Sequence, residues 1–188
     1  MSRVDPIPPR AWPKEMRGAL AALMPPAPRH PPPSPEGRPI PLNMLGTFAH
    51  HPGLARAFFT FNGHMLLATT LSQRQREILI LRVAKLRQSA YAWAEHLGMG
   101  REAGLSDEEI GQIAWGPNAP HWDPLEAALL RATDELVADG EISHDTWTIL
   151  SATLDTQQLM DVIFTVGAYE ILSWMFRSLD LDLDGDLQ

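Results

Sequence analysis

The sequence predicts an all-α fold, and three observations carry that prediction. From Asn43 onward, apolar residues recur at helical spacing through one stretch after another. Helix punctuation flanks those stretches, with Ser72, Ser106 and Asp123 placed to open helices and Gly140 placed to close one. No stretch alternates apolar and polar residues as a half-buried strand does, and no Asn-Gly or Asp-Gly turn joins two apolar runs.

The first 41 residues hold 13 of the 17 prolines and are expected to form an arm rather than a core. Within it, WPKEMRGALAALM predicts one short helix, opened by Pro13 and stopped by Pro25 and Pro26. An apolar helix on an arm would stay wet unless it docks, so docking on the body or on a neighbouring subunit is expected. PPAPRHPPPSPEGRPIP reads as polyproline or extended coil. The body is expected over residues 42–183. LARAFFTFNGHMLLATT is its first long helical pattern, weakened by Gly63. LSQRQREILILRVAKLRQ follows, with Ser72 as N-cap. SAYAWAEHLGMGREAG comes next, and LSDEEIGQIAW opens on the capping-box pair Ser106 and Glu109. HWDPLEAALLRATDELVADG carries Asp123 as N-cap, Pro124 at the first helical position and Gly140 as terminator. SHDTWTILSATL and DTQQLMDVIFTVGAYEILSWMFRSL complete the set, and VIFTV is β-like but embedded in a longer helical pattern. The end, LDLDLDGDLQ, lacks the spacing and closing glutamate of a calcium loop, so residues 184–188 are expected to be a solvated acidic tail.

Composition narrows the function classes. With 188 residues, a formal charge of −8 and no basic run, the chain is a poor ligand for nucleic acid or an anionic membrane. It has no cysteine, which excludes disulfides, thiolate metal sites and thiol chemistry. The N-terminus has no apolar core of signal-peptide length, and no run approaches the roughly 20 apolar residues of a membrane span, so a soluble cytoplasmic protein is expected.

The stretch Arg74–Gly98 holds the candidate site. Glu77 lies on or beside an apolar helical stripe with Ile78, Ile80 and Leu81, where a carboxylate must be paired, protonated or exposed. His96, on the next helix, is a plausible partner. A carboxylate–imidazole pair moves protons near neutral pH. The plainer reading pairs Glu77 with Arg74 or Arg82 and leaves His96 at a helix end. Ser89, Ala92 and His96 share one helix face by spacing. Ser89 reads most simply as a helix cap, and Arg82 as a fork for a substrate carboxylate or a partner of Glu77. Tyr91, Trp93 and Tyr169 are candidate pocket residues, with Glu170 as a second buried carboxylate. Neither adjacent His50 and His51 nor His64 forms a spacing that supports a metal site.

Four segments together carry a family resemblance: REILILRVA (Arg76 to Ala84), SAYAWAEH (Ser89 to His96), GREAGLSDEEI (Gly100 to Ile110) and FTVGAYEILS (Phe164 to Ser173). The chain from about Pro41 to Leu183 is similar to the carboxymuconolactone decarboxylase / alkylhydroperoxidase-D-like family. The peroxidase branch carries Glu, then Cys-x-x-Cys, then His. Here Glu77 and His96 stand at the matching positions, while Ser89 and Ala92 replace the cysteines. The resemblance implies a compact all-helical subunit that assembles into homotrimers or homohexamers. It implies an acid/base frame without a redox centre, and so no thiol peroxidase. The expected function is a cofactor-free lyase or isomerase acting on a small carboxylated lactone or related ring acid, with Glu77 and His96 catalytic and Arg82, Ser89, Tyr91, Trp93 and Tyr169 binding substrate. The alternatives are a lactone hydrolase using the same His96 and a non-catalytic helical oligomer that binds a small molecule or a protein.

Overall fold

A computed structural model describes residues 2–32 and 40–185. Among these residues the regular structure is helical, with no strand. The helices are α1 (Met16–Ala21), α2 (Leu42–Phe48), α3 (Pro52–Gly63), α4 (Gln73–Leu86), α5 (Ala90–Glu102), α6 (Asp107–Trp115), α7 (Pro124–Ala138), α8 (His144–Ser151) and α9 (Thr156–Ser178), with a π-helical turn at His64–Ala68. Packing divides them into two compact units: Met1–Thr69 with Met175–Gln188, and Thr70–Trp174. The boundary expected at residue 41 is not where packing divides the chain, because the arm helix is part of the first unit's core.

In that first unit, α1 packs on α3 and buries Met16 and Ala19 completely. The helix is shorter than WPKEMRGALAALM predicts, and turns flank it on both sides. Gly63, which weakens the helical pattern in sequence, has a steric purpose. A Cβ there would sit 2.3 Å from the Leu23 carbonyl oxygen, so only glycine lets the end of the α1 segment lie against α3. Phe48, Phe58, Phe59 and Phe61 form an edge-on and stacked aromatic cluster. His51 caps α3 by accepting from the Leu54 N–H. Residues 33–39 of the expected polyproline stretch and residues 186–188 of the expected acidic tail lie outside the described residues. The rest of the tail is not simply solvated. Asp184 accepts from the Asn43 N–H in the first turn of α2, whose N-cap Pro41 supplies no side-chain bond. Asp182 accepts from the N–H and the hydroxyl of Ser2.

The second unit is built around α4. Residues 76–84 are all buried, so this helix is surrounded rather than amphipathic. It packs against α5, α6 and α7. Leu79, Leu81, Ile113, Leu129, Leu130 and Leu150 are sealed in this core. Each such side chain contributes about 1.5–3 kcal/mol of burial. The sequence-level caps are in place: the Ser72–Gln75 and Ser106–Glu109 capping boxes, Asp123 accepting from the Glu126 N–H, and Gly140 at φ +79° closing α7. Arg74 reaches across to both Glu109 and Glu126. α9, with 23 residues and mean hydropathy 1.4, is long and apolar enough to cross a membrane, contrary to the sequence expectation, but 61% of its apolar window is buried inside the protein.

Glycine substitution separates the two kinds of position. Gly111, on an exposed turn of α6 with open space beyond it, should accept alanine with a gain of about 0.5–1 kcal/mol. Gly63→Ala should lose about 1–3 kcal/mol, because backbone must move. Denaturant midpoints of the two variants report the signs. A Gly63→Ala midpoint at or above the parent's would contradict the close approach of Leu23.

Candidate functional site

The site lies where α5 crosses α4. The two helices are joined by a tight connection in which Gln88 adopts a left-handed backbone (φ +51°) and the Ser89 N–H closes back onto the Ala84 carbonyl. This turn sets α5 beside α4 and brings His96, one turn and a half into α5, onto Glu77. His96 Nδ1 lies 2.7 Å from Glu77 Oε2. Glu77 is wholly inaccessible and His96 is 7% exposed, so the pair belongs to the core rather than to a solvated face.

Two hydrogen-bond donors, Arg76 and His96, surround the Glu77 carboxylate. Arg76, itself buried, donates from Nε to Oε1 at 2.9 Å and approaches the same oxygen with its terminal nitrogen at 2.8 Å. Burial raises the Glu77 pKa, but attraction and hydrogen bonding from His96 and then Arg76 outweigh it and hold the carboxyl below its usual value. An ionised carboxylate only accepts hydrogen bonds. His96 Nδ1 must therefore carry the proton, and in the neutral ring the lone pair sits on Nε2. No hydrogen bond engages Nε2 among the described residues. The Tyr169 ring stands edge-on to the imidazole, with centroids 4.9 Å apart and planes at 89°. Burial, and then the Glu77 charge, raise the Tyr169 phenol well above its usual pKa, so it stays protonated.

Glu77, His96 and Tyr169 are thus brought together. Arg82 is not. Its guanidinium forms a bidentate fork with Asp134 at 2.6 and 2.9 Å and donates further to the carbonyls of Ile113 and Ala114. The fork read as a substrate clamp faces an internal acid, with Gly116 leaving room for it. It does not pair with Glu77, and neither does Arg74. Ser89 and Trp93 line a separate cavity of about 370 Å³, which neither Glu77 nor His96 reaches. Ser89 occupies the N-cap position of α5 but makes no side-chain cap bond. Tyr91 is buried and does not line that cavity. Glu170 is buried as expected and pairs with Arg87. Among the described residues, no group of three or more His, Asp or Glu could hold a metal ion.

Arg76 is the residue that sequence reasoning missed. Neighbours at i and i+1 do not face each other on a helix, which directs attention to Arg74 and Arg82. The long arginine side chain instead folds back along the helix to reach the adjacent carboxylate. The depressed Glu77 pKa has a sign. Its stabilising contribution is present above the usual carboxylate range and is lost as pH falls through the lowered folded value. Glu77→Gln should cost about 3–5 kcal/mol near neutrality by removing the buried negative charge that Arg76 and His96 both contact. It should also flatten the decline of stability in acid, measured as denaturant midpoints between neutral and acidic pH. A parallel decline in parent and variant would contradict the pairing.

Residues 52–135 match the family model "Carboxymuconolactone decarboxylase family". Among solved structures, a protein of unknown function from Agrobacterium tumefaciens, described as a putative antioxidant defence protein AhpD, is 18% identical with TM-score 0.69, over 73% of this chain and 95% of its own. An uncharacterised peroxidase-related protein with an alkylhydroperoxidase AhpD core, from Ralstonia eutropha JMP134, is 18% identical with TM-score 0.69, over 86% and 95%. A Cys-to-Ala variant of the debrominase Bmp8 in complex with 2,3,4-tribromopyrrole is 12% identical with TM-score 0.75, over 98% and 92%. At these identities the solved structures establish the fold. No curated protein matches the sequence significantly. The matched segment contains Glu77 and His96 and no cysteine, so over residues 52–135 this chain is similar to the carboxymuconolactone decarboxylase family and lacks redox cysteines.

Proposed function

We propose that this protein is a cofactor-free acid/base enzyme acting on a small carboxylated lactone or related ring acid, as a decarboxylating lyase or an isomerase. The observation that carries the reading is the buried Glu77–His96 hydrogen bond, which directs the Nδ1 proton inward and leaves Nε2 unbonded. In the decarboxylation, the bond between the ring carbon and the carboxylate breaks and CO2 leaves. The electron pair remains on the carbon conjugated to the lactone carbonyl. Protonated His96 returns a proton to that carbon from Nε2. Glu77 holds the ring in place and stabilises the imidazolium, while Tyr169 limits its rotation. The match to the family model supports enzymatic chemistry, and the structural neighbour solved with 2,3,4-tribromopyrrole supports a small ring as the ligand class.

One observation favours a second reading, in which the protein binds a small molecule without transforming it. The cavity lined by Ser89 and Trp93 does not take in the Glu77–His96 pair. Turnover separates the two. Incubation with 4-carboxymuconolactone should release CO2, and His96→Ala should lower the rate about 10²–10⁴-fold. An undiminished rate in that variant would overturn the assignment of His96.

We also propose a homotrimer or homohexamer. Met160, Phe164, Ile171 and Trp174 recur on α9 at spacings of four, seven and three residues, and all are exposed in the single chain. Such an apolar stripe fits contact with another copy. Light scattering should give three or six times the chain mass, and Trp174→Glu should shift it toward one. A parent that scatters as a single chain would contradict the proposal.

A further inference from the structure

α1 spends its apolar side inside the first unit. Met16 and Ala19 are buried where the helix packs on α3, so the docking that an apolar helix on an arm demands is met within the chain. Its other side is unpartnered. Lys14 stands one turn before Arg17, whose N–H bonds back to its carbonyl, so the two side chains project from the same side. Both are exposed, and Gly18 beside them faces open space, since a Cβ there would meet nothing within 4 Å. Neither side chain makes an ion pair or a hydrogen bond among the described residues. The rest of the described arm adds Arg3, Arg10 and Arg29, against Asp5 and Glu15 as its acids.

The opposite charge gathers at the corner between α7 and α8. From Ala132 to Phe176 the chain contains no lysine or arginine. Asp134 and Glu170 in that span take their cations from α4 and the turn after it, as Arg82 and Arg87. Glu135 is satisfied by Ser143 and Thr146, and Asp161 by Thr70. Asp139, Glu141 and Asp145 are left exposed, and their side chains make neither an ion pair nor a hydrogen bond among the described residues. Three like charges on one corner repel one another, and that stretch of chain holds no lysine or arginine to offset them.

We propose that the basic face of α1 docks on the α7–α8 corner of a second copy of this chain, with Lys14 and Arg17 facing Asp139, Glu141 and Asp145. Charge complementarity selects the occupant. The described arm has more cations than acids, the chain as a whole carries −8, and the corner presents its acids where no neighbouring cation in sequence competes for them. Two different surfaces meet, so the contact is heterologous, and a heterologous contact that closes makes a ring of copies. It is separate from the apolar stripe on α9. The inference rests on the proposed trimer or hexamer only for the number of copies in the ring.

The test is self-association of the full chain by light scattering, with carbodiimide cross-linking of an equal mixture of ¹⁴N- and ¹⁵N-labelled protein. Carbodiimide joins an ammonium to a carboxylate in direct contact, and isotope-mixed peptides identify joints between copies. Lys14 should be joined to Asp139, Glu141 or Asp145 across copies. Lys14→Glu with Arg17→Glu should weaken association at least about tenfold, since like charges then face each other, and Asp139→Lys with Glu141→Lys should do the same. Combining the two pairs should restore association, a rescue that loss of folding does not produce. Raising salt from about 0.1 M to about 1 M should also weaken it, as the screening length falls from about 10 Å to about 3 Å. Joints found only within one chain, unchanged association in both double variants, or no rescue in the combined one would overturn the contact. Binding through Lys14 and Arg17 to phosphatidylglycerol vesicles, with no joint between copies, would overturn the second copy as the occupant. Association that survives both charge reversals but is lost in Trp174→Glu would overturn this contact and leave the α9 stripe standing. Salt-sensitive association that Trp174→Glu leaves intact would do the reverse.

Discussion

A carboxylate with no access to water organises the second unit. Glu77 sits on α4 among side chains that are themselves sealed, and an isolated charge there would be prohibitively unfavourable. It persists because Arg76 and His96 both reach it. That requirement fixes the crossing of α5 over α4, because His96 must arrive at hydrogen-bond distance with the correct nitrogen. The left-handed Gln88 and the Ser89-to-Ala84 closure make the short connection possible. The chemistry follows from the same constraint. Once Glu77 is ionised, the proton of the neutral imidazole is committed to Nδ1 and the basic nitrogen is Nε2.

The surrounding ion pairs act as struts. Arg82 with Asp134, Arg87 with Glu170, and Arg74 with Glu109 and Glu126 each link helices distant in sequence. Glu109 shows the effect most clearly, since hydrogen bonding to Arg74 holds its carboxyl at about 2. These contacts stand at the margins of an apolar core whose burial supplies the larger share of the stabilisation. Of these, the partly exposed Arg74 pairs contribute modestly and chiefly fix register.

Much of this was legible in the sequence. The caps at Ser72, Ser106 and Asp123 and the terminator at Gly140 follow from local chemistry, which acts over three or four residues and needs no knowledge of the fold. The pairing of Glu77 with His96 was legible because a carboxylate in an apolar stripe demands a partner and the family pattern names one. Other features depend on what tertiary packing brings near. Arg82 reads as a ligand fork until Asp134, some fifty residues on, is found inside it. Arg76 escapes notice because helix spacing rules describe side chains that project outward, not one folded along the helix. Ser89 reads as a cap from residue type alone, yet its backbone geometry places the hydroxyl out of reach of the first turn. Asp184 reads as solvated tail until the capless start of α2 is found to meet it.

The most direct measurement is a ¹⁵N NMR spectrum of the His96 ring in the unmodified protein, recorded with the imidazole neutral. The account predicts a protonated, hydrogen-bonded Nδ1 and an unprotonated Nε2, with the Nδ1 signal moved in Glu77→Gln. A ring protonated at Nε2 instead, and indifferent to Glu77, would contradict it.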